Sequence, residues 1–157
     1  MGTEIERKFL VADPSVVDGL DGSVIRQGYL SRDPARTVRI RRRGELAFVT
    51  VKGANHGSRR SEWEYEVPTA DADEMFSLCE GPILDKTRYL IDVAGRTWEV
   101  DVFRGANAGL VMAEVELDAE DAVVELPAWA GLEVTGDPRY YNANLTSHPM
   151  GSPDADG

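Results

Sequence analysis

The chain has a single cysteine, Cys79, in 157 residues, which excludes an intramolecular disulfide. Its neighbours Met75 and Phe76 mark it as a small apolar residue on a helix face. Only two histidines occur, His56 and His148, far apart in the sequence, so no Cys/His zinc spacing exists. No apolar run approaches the roughly 18 residues of a membrane helix. Met1 to Glu6 lack the basic stretch of a signal peptide, and Glu6 stands where a myristoylation motif requires Ser or Thr. Cations are in the minority, 17 Lys and Arg against 28 Asp and Glu, for a net charge of −11. That balance argues against nucleic acid and anionic membrane as partners and suits a binder of cations. The glycines between Gly53 and Ser58 make no P-loop, because the lysine precedes them and no Gly-Lys-Ser/Thr follows. A cytoplasmic protein is the expectation.

With 42% hydrophobic residues the chain has enough for one real core. Residues 1–147 read as one domain and 148–157 as a small, acidic, disordered tail. The organising stretch is Glu4-Ile5-Glu6-Arg7-Lys8-Phe9-Leu10-Val11. As a β-strand it puts Glu4, Glu6 and Lys8 on one face and Ile5 and Phe9 on the other. Later strands repeat the device, with the charges sorted by sign. Ser23 to Ser31 groups Ile25, Gln27 and Tyr29, with Gly28 as a bulge or close-approach point. Thr37 to Arg43 presents Arg39 and Arg41, with Arg43, opposite Val38 and Ile40. Ala47 to Lys52 returns with Phe48, Thr50 and Lys52 in register, and Gly53 to Ser58 reads as a loop.

Arg60 to Val67 sets Glu62, Glu64 and Glu66 against Trp63, Tyr65 and Val67, the aromatics being expected on a buried outer side. Asp85 to Val93 presents Lys86 and Arg88. Across the Ala94-Gly95 turn, Thr97 to Phe103 offers Glu99, Asp101 and Phe103. Leu110 to Leu117 alternates Met112, Glu114 and Glu116 with Val111, Ala113 and Val115, and a short Leu132-Glu133-Val134 segment follows. Three helices are expected. A short one is capped at Asp13-Pro14-Ser15, another starts at Thr69 with acids in its first turn and stops at Gly81-Pro82, and a third runs from an Asp137-Pro138 cap to Leu145.

About eight antiparallel strands, each charged on one face, cannot bury that face in an ordinary sandwich, since unpaired charges in a dry core are prohibitively costly. A mainly β, α+β closed barrel resolves this. Its inside is charged and wet, and its apolar outside is covered by helices 70–80 and 138–145. With eight strands the interior holds one small ligand. Carboxylates from Glu4, Glu6, Glu62, Glu64, Asp101, Glu114 and Glu116 then share the space with Lys8, Arg39, Arg41, Lys52, Lys86 and Arg88. Two carboxylates about 4 Å apart repel by about 4 kcal/mol at an effective dielectric near 20, so crowding them calls for divalent cations. Oxygen-only ligands point to Mg²⁺ or Mn²⁺ rather than Zn²⁺. The basic half calls for a polyanion that also binds metal, and a triphosphate meets both demands.

The opening Glu4-x-Glu6-x-Lys8 resembles the Glu-x-Glu-x-Lys motif of the CYTH superfamily, the triphosphate tunnel metalloenzymes. The resemblance continues through Gln27-Gly28-Tyr29-Leu30, Val38-Arg39-Ile40-Arg41, Val51-Lys52-Gly53, the Glu62/Glu64/Glu66 strand, Lys86-Thr87-Arg88-Tyr89, Trp98 to Phe103, Ala113 to Leu117 and Glu133 to Asp137. It implies an eight-stranded antiparallel tunnel that hydrolyses or cyclises triphosphates with Mg²⁺ or Mn²⁺, two ions being expected. By this resemblance Glu4, Glu6, Asp101, Glu114 and Glu116 hold metal, with Glu62 and Glu64 in support. Lys8, Arg39, Arg41, Lys52, Lys86 and Arg88 bind the triphosphate, and Lys8, Tyr29 and Glu116 act in catalysis, Tyr29 by a hydrogen bond to Lys8 or else as a packing residue. Inorganic tripolyphosphate is the first expectation for substrate. Thiamine triphosphatase, a class IV-type adenylyl cyclase and a non-catalytic polyphosphate or nucleotide binder are the alternatives. The partner is a small molecule, with no nucleic acid or membrane, and the chain is a monomer or homodimer.

Overall fold

In the computed structural model, which describes residues 2–150, alternation of side chains produces nine strands. They are β1 (Glu4–Val11), β2 (Ser23–Ser31), β3 (Arg36–Arg43), β4 (Leu46–His56), β5 (Arg59–Val67), β6 (Leu84–Val93), β7 (Arg96–Phe103), β8 (Val111–Glu116) and β9 (Ala130–Glu133). All pairings are antiparallel, in the order β5-β4-β3-β2-β6-β7-β8-β1, and β1 pairs again with β5 at Glu4↔Arg60 and Ile5↔Arg59. The first eight strands thereby close into a barrel, and closure leaves the charged faces inside. The ninth strand attaches outside this circuit, to the far end of β1 at Phe9↔Glu133 and Val11↔Ala130.

The expected loop at Gly53 to Ser58 is mostly strand. β4 runs on to His56, with an irregularity between Lys52 and Asn55, and only Gly57 and Ser58 turn the chain. Glycine at 53 did not end the strand because the ladder to β5 resumes at Asn55↔Arg60. Gly28 is a close-approach point, not a bulge: a Cβ there would lie 2.7 Å from Cys79 Sγ and 2.8 Å from Ile83 Cδ1.

The barrel's outside is covered in two places. Ile5, Phe9, Trp98, Val100, Ala113 and Val115 form one buried cluster, onto which Val17, Ala122, Val124 and Trp129 pack. Trp98 is its centre, 5.5 Å between ring centroids from both Phe9 and Trp129. The second cover is α1 (Thr69–Met75), whose buried Ala72 sits on Ile40 and Ala47. This helix is capped by Pro68 and not by Thr69, and no side chain bonds its end. It gives way to a 3₁₀ turn at Phe76–Leu78, so the helix expected to reach residue 80 is shorter. The α1 cover reaches the outer face of β5 only at its last residue, Val67. Trp63 and Tyr65 point outward as parity requires, but they are 45% and 62% exposed, not buried.

The expected helix over 138–145 splits into a 3₁₀ turn, Pro138–Tyr140, in which the Arg139 N–H donates to the Asp137 cap, and α2 (Asn142–Leu145). It does not lie on the outer wall. Leu145 and Tyr140 pack with Val134 and Leu110 on Leu84, Phe103 and Met112, which share parity with the inward charges of their strands. This segment therefore seals one end of the barrel with an apolar plug. Packing extends past residue 147: Met150 joins the cluster and its N–H donates to Asn107 Oδ1 at 3.0 Å. The expected tail thus begins no earlier than residue 151, and residues 151–157 lie outside the described residues. Among the described residues no helix is long and apolar enough to cross a membrane.

Candidate active site

Strand order sorts the inward charges into two walls. β3, β2 and β6 are neighbours and bring Arg39 and Arg41 beside Gln27 and Tyr29, then Lys86 and Arg88. On the opposite arc β7, β8, β1 and β5 carry Glu99, Glu114, Glu116, Glu4, Glu6, Glu62 and Glu64. Between them lies a cavity of about 210 Å³. Nine Lys and Arg side chains and seven carboxylates line it, although the whole chain is acidic by eleven charges, so the fold concentrates its scarce cations inside.

On the acidic wall the carboxylates come in close pairs. Glu6 is raised well above the usual range by burial and by the nearby Glu114 and Glu4. Glu114 is pulled down, against its own burial, by Lys8, Arg88 and Lys86 and by the hydrogen bond from Glu6. The second pair behaves alike. Burial and a hydrogen bond with Glu4 lift Glu62 to about 7, while Lys52 and that same bond hold Glu4 low although burial opposes it. In each pair one carboxyl is raised and its neighbour lowered. Lys52 Nζ bridges the second pair at 3.1 Å from Glu4 and 3.2 Å from Glu62. Among the described residues no three such groups converge as a ready-made metal cage.

On the basic wall some cations are neutralised and some are not. Arg88 reaches Asp101 with two bonds of 2.8 and 2.9 Å and Glu99 at 3.0 Å. Lys86 Nζ lies 2.8 Å from Asp101, yet burial together with Arg88 and Arg41 lowers its pKa to about 7. Arg39 donates from Nη2 to Thr50 Oγ1 and Glu64 Oε1, while its buried Nε has no partner among the described residues. Arg41 has no ion pair at all among the described residues. Its one bond runs from Nε to Gln27 Oε1, 3.0 Å, and burial with Arg39 and Arg88 nearby lowers it to about 9.

All six expected cations line the cavity, as do Glu4, Glu6, Glu62, Glu64, Glu114 and Glu116. Asp101 does not. It is 2% exposed behind the wall, and Lys86 and Arg88 occupy both its oxygens and draw it down to about 2 against its burial. Its place is that of their counter-ion, not of a cavity-facing ligand. Tyr29 lines the cavity, but no Tyr29–Lys8 hydrogen bond forms: Tyr29 Oη accepts from Gln27 Nε2 at 2.9 Å, and Lys8 Nζ donates to the Tyr140 carbonyl at 3.2 Å and pairs with Glu114 at 3.6 Å. Sequence reasoning also missed cavity residues. Parity had placed Arg43 and Glu99 inward, and that signal could have added them. Arg60, which shares the parity of Glu62 and Glu64 on β5, could have been added in the same way, whereas Tyr141 and Asn142 from the plug carried no periodic signal.

A closed antiparallel barrel that holds a basic wall against an acidic one across a small, one-ended cavity is a container for a compact polyanion together with cations. Residues 2–142 match the CYTH domain model, so the chain belongs to the CYTH family. It is 47% identical over 150 residues to an inorganic triphosphatase of Acetivibrio thermocellus, covering 95% of this chain and 96% of that one. It is 40% identical over 149 residues to an inorganic triphosphatase of Nitrosomonas europaea, covering 91% and 96%. Among solved structures, the inorganic triphosphatase NE1496 superposes with a TM-score of 0.66 at 36% identity, over 94% of this chain and 99% of that one. Family membership implies a divalent cation.

Proposed function

We propose that this protein hydrolyses inorganic tripolyphosphate to pyrophosphate and phosphate in the barrel cavity, with two Mg²⁺ or Mn²⁺ ions. The observation that carries the reading is Arg41, a guanidinium buried in the cavity wall that makes no ion pair among the described residues. An unpaired buried charge is costly in the empty fold and is compensated only when an anion arrives. The names of the two relatives supply the substrate class. Trp63 and Trp98 lie on the outer face, and among the described residues the aromatics lining the cavity are the two tyrosines Tyr29 and Tyr141.

The donor set fits the metal. Every cavity-facing acid offers oxygen only, the ligand type of Mg²⁺ and Mn²⁺, and the close carboxylate pairs Glu6/Glu114 and Glu4/Glu62 are places where a divalent charge would relieve mutual repulsion. Glu4, Glu6, Glu62, Glu114 and Glu116 would hold it. Such a cation supplies positive charge to the phosphoryl oxygens and acidifies an attacking water. The chain's own part is grip and charge. Arg39, Arg41, Lys52, Lys86 and Arg88 bind the phosphate oxygens, and Lys8, kept protonated by Glu114 and Glu6 against its burial, reaches from the acidic side. Water attacks the terminal phosphorus in line, the bond to the bridging oxygen breaks, and the water's proton passes to a carboxylate of the acidic wall. The charge gained by the leaving diphosphate is met by the preorganised cations.

The test is phosphate release from tripolyphosphate, pyrophosphate, ATP and thiamine triphosphate, each with Mg²⁺, Mn²⁺ or EDTA, with cyclic AMP followed in the ATP reactions. Metal-dependent hydrolysis confined to tripolyphosphate is expected. Cyclic AMP or a thiamine preference would replace the substrate, and binding without turnover would make the barrel a receptor.

A further inference from the structure

The plug contributes one side chain whose orientation is dictated by its neighbours. Lys86, as the ammonium that pairs with Asp101, donates, so the atom of Asn142 that meets its Nζ at 2.7 Å is Oδ1. Arg41 Nε can likewise only donate, so Gln27 turns Oε1 towards it at 3.0 Å. The amide nitrogen of the fully buried Gln27 is thereby aimed the other way, and its two N–H groups go to Tyr29 Oη at 2.9 Å and Asn142 Oδ1 at 3.2 Å. The Arg41 guanidinium and the Lys86 ammonium thus fix the polarity of the whole chain of bonds. Asn142 Oδ1 receives two donors, and its Nδ2 faces away from both. Asn142 lines the cavity, and Nδ2 has no protein partner among the described residues.

From this geometry we infer that Asn142 is a substrate-binding residue whose two amide N–H groups donate to oxygens of the bound polyphosphate, and that Gln27 is the positioning residue that holds it so. The plug is then part of the binding site as well as its seal. It adds neutral donors beside a wall of cations, where a further charge would only increase the repulsion that burial already imposes on Arg41 and Lys86. The inference rests on the proposed polyphosphate reading of the same cavity.

Titration calorimetry with tripolyphosphate in EDTA tests it without turnover, on the full chain and on Asn142→Asp, Asn142→Ala and Gln27→Leu. The aspartate keeps the acceptor for Lys86 and Gln27 and should melt no lower than wild type, but it has no N–H to offer. Both Asn142 variants are expected to bind about tenfold more weakly or worse, the aspartate most, with the same loss in KM when turnover is measured with Mg²⁺. A residue that merely props Lys86 predicts the reverse order, and Asn142→Asp binding within about twofold of wild type would overturn the inference. Gln27→Leu is expected to show part of the loss, and an unchanged Kd there would remove its positioning role. Wild-type turnover measured alongside separates the two readings. Binding without hydrolysis overturns the proposed activity and leaves this inference standing, while a wild type that binds no tripolyphosphate overturns both.

Discussion

Arg41→Met separates what the cavity wall does for the fold from what it does for the ligand. Burial, with Arg39 and Arg88 close by, lowers the guanidinium from 12.5 to about 9. At about 1.36 kcal/mol per unit, holding it charged costs the ligand-free fold on the order of 5 kcal/mol. The sign follows from linkage: the folded pKa is depressed, so the cost is fully present below pH 9 and relieved only as pH rises from about 9 towards 12.5. Methionine keeps much of the stem's volume and removes that cost. It also leaves Gln27 Oε1, now bonded only to Arg41 Nε, without its donor, a loss of about 1–3 kcal/mol. The net expectation is a ligand-free protein more stable by about 3 kcal/mol, which for a chain of this size raises Tm by about 10 °C. Tripolyphosphate turnover should fall about a hundredfold or more, because a preorganised charge at the leaving group is gone. Differential scanning fluorimetry at pH 7.5 with and without tripolyphosphate, together with kcat/KM, reads both effects. A variant that melts no higher than wild type and hydrolyses tripolyphosphate unimpaired would refute the reasoning that Arg41 is kept buried for an anion.

Three further outcomes are expected. Glu116→Gln alters an exposed side chain at the cavity rim, so Tm should move by the equivalent of about 0.5 kcal/mol or less while metal-dependent phosphate release is lost; unchanged release would remove Glu116 from the site. Asp101→Asn strips the counter-ion from Lys86 and Arg88 and should cost about 3–5 kcal/mol in urea unfolding. Wild-type stability should also show an acid limb that the variant lacks, since Asp101 lies near 2 in the fold: its contribution is present above about pH 4 and disappears as pH falls through 2. Glu62 behaves oppositely. Raised to about 7, it binds its proton more tightly folded than unfolded, so stability falls as pH climbs from about 4.5 to about 7. Glu62→Gln should flatten that window and melt higher than wild type at pH 8, and a lower Tm there would contradict the raised Glu62 pKa.

The inward charges were legible in the chain itself because strand periodicity is local. Glu4, Glu6 and Lys8 need only the two-residue repeat of β1 to share a face, and the same rule sent Arg39 and Arg41, Lys86 and Arg88, and Glu114 and Glu116 inward. Even barrel closure followed, because so many charged faces have no other way to stay wet. Asp101 obeyed the same parity and still ended behind the wall. Parity gives a side chain's face but not its depth, and only the Arg88↔Asp101 register of β6 and β7 set it against two cations. Trp63 and Tyr65 were placed on the correct side with the wrong exposure, since what covers an outer face depends on where α1 and the 118–130 segment pack.

What the sequence determined by itself, then, was the set of strands, the sign of charge on each and the chemistry of the ligand they would suit. The tertiary structure alone decided that the C-terminal segment enters the barrel end instead of lying outside it, and with it the placement of Tyr141 and Asn142 at the cavity. A short aperiodic stretch carries no repeat to read, and the partner that orients Asn142, Lys86, lies 56 residues away. Contacts of that kind exist only once the sheet has closed.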